Sequence, residues 1–298
     1  MKSWKIGAVS GLLAGIVLGV VYEICNQIAA SLGLFEPYWR PIVVNNIVVN
    51  ILLFGFWGFI LGIIFSKINN IIPRKDLSKG PVYGLFLYFI IVFRIETFSI
   101  PYGLFLDAVG GNFAGFFSWL TYGSVLGILY KYLSDRFYHP KKEVKIKTYD
   151  MRSGLFPGAI AGFCGGMPAA ISQVVGHVTG YWGVPATSGQ LISTIEYWWN
   201  QAGTHILINM IWGTVFGAIF AIVYDLVPGK KIRKGILFGL IMFFITTFLV
   251  GTWLVIWPIF HNEWNIATYY AGAAFLTGGA NAVVFGLVLG LLYRKPSK

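Results

Sequence analysis

The sequence predicts an all-α integral membrane protein: eight transmembrane helices forming two parallel-repeat four-helix units, with both termini cytoplasmic. Three observations predict it: a strongly apolar composition, eight apolar runs of bilayer length, and a self-match at a shift of 155 residues.

With 57% hydrophobic and only 11% charged residues in 298, the chain lies outside the range of soluble domains. Its mean hydropathy is +0.72. The formal charge of +11 would suggest nucleic acid in a soluble protein. Here the basic residues gather in short connections between apolar runs, so no nucleic-acid partner is expected. Cys25 and Cys164 both fall inside apolar runs, without a CxxC motif or a disulfide framework, and read as packing residues. The first apolar run continues to about residue 31, too long for the core of a cleavable signal, and is expected to remain as a helix.

A helix needs roughly 20 apolar residues to cross the hydrocarbon layer. Such runs cover residues 6–30, 42–67, 81–100, 112–132, 154–178, 203–226, 235–258 and 270–293. The connections alternate in charge. "SKINNIIPRKDLSKG", "KYLSDRFYHPKKEVKIKTYDMRSG" and "DLVPGKKIRKG" are basic, as are both termini, whereas the four opposite connections hold one basic residue, Arg40, and the aromatic stretches "EPYW", "EYWWN" and "HNEWN". Positive charge stays inside and aromatics favour the interface, so both termini are placed in the cytoplasm of a cell-membrane protein. Two readings stand for "SGQLISTIEYWWNQ" in the long connection from Tyr181 to Gly203: an interfacial helix with Leu191, Ile192, Ile195, Trp198 and Trp199 on one face, or an irregular loop with aromatic anchors.

Shifted by 155, residues 45–97 overlay residues 200–252 without a gap. The overlay pairs Trp57 with Trp212, Gly62 with Gly217, Phe65 with Phe220, Pro73 with Pro228, Gly80 with Gly235, Gly84 with Gly239 and Thr97 with Thr252. The flanking helices follow at other offsets: Gly7, Gly11, Gly15 and Gly19 match Gly154, Gly158, Gly162 and Gly166, and "YGSVLGILYK" matches "FGLVLGLLYR". The predicted organisation is a first repeat at 1–133, a basic linker at 134–152 and a second repeat at 153–298. An even number of spans per unit makes the repeat parallel. Glycine at every fourth residue marks a glycine zipper, a face for close helix contact, with the seam between the halves as one place for it.

Where the halves differ, polar residues stand out as candidates for function. Arg94 and Glu96 align with Leu249 and Gly251, and Glu23 aligns with Ala170. Glu23, Asn50 and Arg94 lie about 20–25 Å from the basic side, in the outer part of the bilayer. Charge in a membrane is costly and is a functional hint by default. A Glu23–Arg94 ion pair, supported by Asn46 or Asn50, is the first arrangement that would neutralise it. The second half places Gln173, His177, His205 and Asn209 at similar depth, with His205 aligned to Asn50 and Asn281 aligned to Ser118. These residues, Asn46 and Glu96 included, form the candidate substrate or ion pathway. His177, His205 and His261 share the outer side and are the candidate metal or haem ligands, but no HxxxH spacing supports them and structural histidine is preferred. No cofactor is predicted. HExxH, GxSxG, the P-loop and GxGxxG before a helix are all absent from the sequence, so no catalytic residue is assigned.

The segment "THILINMIWGTVFGAIFAIVYDLVPGKKIRKGILFGL" resembles the central helix pair of the YagU-like family of small bacterial inner-membrane proteins. The resemblance lies in Thr204 and His205 at the helix entrance, Val227 and Pro228 at the turn, and Gly235 in the next helix, over roughly a quarter of the chain. It implies a tandem fusion of two such units, with Asn50 departing from the pattern at the place of His205, and carries no activity over.

Three functions compete. The first is a small-solute or ion transporter or channel with an outward-facing polar site between the two repeats. The second is a non-catalytic accessory or scaffold subunit of a membrane complex, and the third a lipid- or polyprenyl-handling enzyme, for which the basic connections offer only scattered Asp76, Asp135, Glu143 and Asp150. The lipid bilayer and a homo-oligomer or larger membrane complex are the expected partners.

Overall fold

The computed structural model describes residues 2–35, 47–72, 76–99, 105–137, 150–178, 195–260 and 264–295, and every regular element among them is helical. The chain divides into two compact units, Met1–Ile146 and Lys147–Lys298. The first holds α1 (Ser3–Ser31), α2 (Ile47–Ile68), α3 (Lys79–Tyr88), α4 (Arg94–Ser99) and α5 (Phe105–Phe137). The second holds α6 (Arg152–Val178), α7 (Ile195–Val223), α8 (Lys231–Phe243), α9 (Leu249–Phe260), α10 (Trp264–Ala271) and α11 (Gly278–Leu292). π-Helical turns at Phe89–Phe93, Phe244–Phe248 and Gly272–Thr277 join α3 to α4, α8 to α9 and α10 to α11. Counted through these turns, eight helices among the described residues are long and apolar enough to cross a membrane.

Several boundaries differ from the hydropathy reading. The fourth helix runs from Phe105 to Phe137, beyond the expected 112–132 at both ends, and the eighth begins at Trp264. Hydropathy marks where the chain crosses hydrocarbon; the backbone continues its internal hydrogen bonds past that point because nothing in "FLDAVGG" breaks them. The same reason merges Ile195–Asn200 with the sixth helix, so from Ile195 onward there is no separate interfacial helix. Residues 42–46, the start expected for the second span, and 179–194 lie outside the described residues.

Lipid offers helices no hydrophobic reason to associate, so contact must come from close backbone fit. Gly7, Gly11 and Gly15 of α1 lie against Gly62, Gly58 and Phe54 of α2, so closely that a Cβ on any of them would strike a carbonyl oxygen of α2. Gly80 and Gly84 of α3 meet Gly123 and Gly127 of α5 in the same way. The second unit makes the same two seams, Gly154, Gly158 and Gly162 of α6 against Gly217, Gly213 and Asn209 of α7, and Gly235 and Gly239 of α8 against Gly286 and Gly290 of α11. The glycine faces of α1 and α6 are therefore filled from within their own units, which corrects their placement at the seam between the halves.

Aromatic clusters close one end of each unit. Phe65 packs edge-on against Tyr130 and at a tilt against Tyr83 in the first, and Phe220 edge-on against Tyr293 and at a tilt against Phe238 in the second. Their buried hydroxyls need acceptors. Tyr83 donates to the Leu61 carbonyl at 3.0 Å and Tyr122 to the Gly58 carbonyl at 3.2 Å. At the other end of α1, Gly33 sits at φ 74°, the left-handed region, and the Leu34 and Gly33 amides turn back to the Ala29 and Ala30 carbonyls. Glycine terminates a helix this way without a Cβ penalty.

Candidate functional site

The last turns of α1 place Tyr22, Glu23, Asn26 and Gln27 in an otherwise apolar helix. Spacing of four residues stacks Glu23 beneath Gln27, whose amide donates to Glu23 Oε1 at 3.1 Å. The second carboxylate oxygen is reached from α2, by Asn50 Nδ2 at 3.0 Å. The glycine seam explains that reach: Gly19 lets the Asn50 carbonyl lie directly on α1, and the Asn50 side chain then falls beside Glu23. Glu23 is 2% exposed and Asn50 fully buried. Two amide donors on separate oxygens suit an ionised carboxylate, and bonds to charge are the stronger kind.

A second carboxylate approaches from α4. Glu96 lies on Gly111 of α5, where a Cβ would collide with Oε1. Tyr22 stands in the electrostatic field of both Glu96 and Glu23, and its ring packs edge-on against Phe54 at 5.1 Å. Tyr88 also senses Glu96; its hydroxyl donates to Asn112 Oδ1 at 2.9 Å, and Asn112 donates to the Ala108 carbonyl at 2.8 Å. Arg94 opens α4 two residues before Glu96 and is half-buried.

The residues that align in sequence with the two carboxylates carry no charge in the second unit. Ala170, aligned with Glu23, is buried, and a Cβ on Gly251 of α9, aligned with Glu96, would meet Ala274 and Phe275. Neutral groups link its helices instead. Asn281 donates to Asn209 Oδ1 at 2.9 Å, Asn209 donates to the His205 carbonyl at 2.9 Å, and the Ser172 and Thr277 hydroxyls are 2.9 Å apart. Interhelical hydrogen bonds in membranes contribute modestly, so Asn281→Ala is expected to lower unfolding stability by about 1 kcal/mol, read from denaturation in detergent micelles.

Of the sequence candidates, the structure brings together Glu23 with Asn50 and Asn209 with Asn281, each pair within one unit. It sets Arg94 and Glu96 on α4 and His205, half-buried, on α7. Gln173 and His177 lie in the last turns of α6, their side chains outside the described residues, as are Asn46 and His261 altogether. Among the described residues no three His, Cys, Asp or Glu side chains converge as a metal site. Sequence reasoning missed Tyr22, Gln27, Tyr88, Asn112, Ser172 and Thr277. For Tyr22 and Gln27 a signal existed, polar residues paired at i and i+4 in an apolar helix; for the others the partner comes from a distant helix.

A chain whose described residues form only helices, eight of them of membrane length, with polar side chains in the interior, is a polytopic membrane protein. Comparison with family models, with curated proteins and with solved structures finds no match for it.

Proposed function

We propose that this membrane protein moves a small ion, a proton or small cation, through its first four-helix unit, and that the chain is a tandem duplication whose second unit carries an uncharged version of the same site. One observation carries the reading: the Glu23 carboxylate is 2% exposed inside a membrane-length helix and is held by Asn50 and Gln27, with the Glu96 carboxylate near the same tyrosine. Carboxylates at that depth are expensive and mark ion or proton paths. Glu23 is the ion-binding or proton-accepting group, Asn50 and Gln27 orient it, Glu96 is the second stop, and Arg94 tunes the local potential. The basic connections orient both termini toward the cytoplasm in a cell membrane, which sets the site toward the outer side.

The duplication reading is supported by matched details at matched positions: π turns at Phe89–Phe93 and Phe244–Phe248, 155 residues apart, the paired glycine seams, and the two aromatic clusters. In that light the double loss of charge at Ala170 and Gly251 is specific to the site, because the surrounding packing is kept.

Purified protein in liposomes loaded with a pH-sensitive dye tests the reading. Flux driven by a potassium diffusion potential is expected from the unaltered chain and is expected to vanish with Glu23→Gln. No flux from the unaltered chain, with stable comigration of the protein with another membrane complex, would leave the accessory-subunit reading in its place.

A further inference from the structure

The third membrane span of the first unit faces α5 at every fourth residue. Gly80 and Gly84 meet Trp119, Gly123 and Gly127; Tyr88 reaches Asn112; Val92 lies on Gly115; and Glu96 lies on Gly111. A regular α-helix turns about 100° per residue, so each four-residue step overshoots by about 40°, and from Gly80 to Glu96 the drift would reach about 160°. Glu96 would then point away from α5. What returns it is the π turn Phe89–Phe93, where the Arg94 amide bonds back to the Phe89 carbonyl, five residues earlier. That turn holds one residue more than an α-helix needs and so absorbs about 100°. The second unit has the same turn, with Thr247 on Gly278 and Gly251 against Ala274, but the residue it delivers to the interior has no charge.

We infer that the π turn before Arg94 is a register switch that sets whether Glu96 or Ile95 occupies the place against Gly111. The surplus residue is not tied to one position. If the turn passes along the helix beyond Glu96, the segment between its old and new places becomes α-helical and rotates by about 100°. Ile95 then faces Gly111, and the Glu96 carboxylate leaves Gly111 and the neighbourhood of Tyr88 and Asn112. Arg94 turns with it, so the charge presented to the interior changes in one movement without unfolding a helix. The inference rests on the proposed ion path, for which it supplies the step that uncovers and covers one carboxylate.

Disulfide trapping tests the two registers directly. In a Cys25→Ala, Cys164→Ala background, the pairs Glu96→Cys with Gly111→Cys and Ile95→Cys with Gly111→Cys are oxidised in liposomes. Both pairs are expected to cross-link. Deleting Ile91 removes the surplus residue while keeping Glu96 on the α5 face, so the 96–111 disulfide is expected to persist and the 95–111 disulfide to be lost. A 95–111 pair that does not form in the full-length chain, or that forms equally well in the deletion, overturns the switch. That second comparison also covers the case in which the side chain introduced at Gly111 itself drives the rotation, since it would act in both backgrounds. In the otherwise unaltered chain the Ile91 deletion is expected to stop ion flux although Glu96 is present; undiminished flux overturns the switch as a step in transport. Failure of the unaltered chain to conduct refutes the transport reading instead, and the disulfide ratios still decide the register.

Discussion

Gly11→Ala will destabilise the protein by about 3 kcal/mol, the upper end of the usual overpacking penalty, because its methyl group has nowhere to go. A Cβ at Gly11 meets the Gly58 carbonyl oxygen and the Gly62 backbone, and a carbonyl in a helix does not step aside as a flexible side chain would. The whole of α1 must therefore move off α2, taking Gly7 and Gly15 from their partners too. Gly58→Ala, the same contact from the other side, is expected to do the same. Gly203→Ala is the control: nothing lies within 4 Å of its added Cβ, and replacing glycine in a helix by alanine is expected to raise stability by up to about 1 kcal/mol. Unfolding in detergent, followed by tryptophan fluorescence, measures all three.

The second large effect concerns Asn50. Asn50→Leu removes the donor to Glu23 Oε2 in a fully buried place, and leaving a buried charged group short of a hydrogen bond costs more than the ~1–3 kcal/mol of a neutral one. Adding Glu23→Leu removes the charge as well, and the double variant is expected to recover most of the lost stability, since replacing both partners by apolar groups can be nearly neutral. Ion flux should be lost in both. That pattern separates an acid kept for function from one kept for folding. A double variant less stable than Asn50→Leu alone would show instead that Glu23 serves the fold.

Much of the fold was legible because membrane helices write themselves in composition: the apolar runs, the glycines at every fourth residue and the basic connections between runs are all local signals. The helix ends were less legible, since Phe105–Gly111 and Ile195–Asn200 continue as helix where hydropathy falls. The candidate site was half readable. Glu23, Asn50 and Glu96 stood out as polar residues in apolar runs, and comparing the halves singled out Glu23 and Glu96 as charges the second half lacks. Their geometry was not readable, because it depends on two things that sequence does not display. One is how close Gly19 allows α2 to come. The other is the π turn, for "FIIVF" and "FITTF" look like any helical apolar stretch, and only the neighbouring helix shows that the phase has slipped by one residue.

The backbone-to-backbone seams between α1 and α2, and between α6 and α7, bear on how the protein behaves once removed from its bilayer. Where carbonyls and glycine α-carbons touch directly, no side chain has to find a rotamer and no acyl chain or detergent tail can enter. These helix pairs should hold together after delipidation and should be the last parts to exchange their amide hydrogens. The π turns at Phe89–Phe93, Phe244–Phe248 and Gly272–Thr277 interrupt the regular amide ladder, so the amides around them should exchange first and solubilised protein should lose ordered structure outward from those turns.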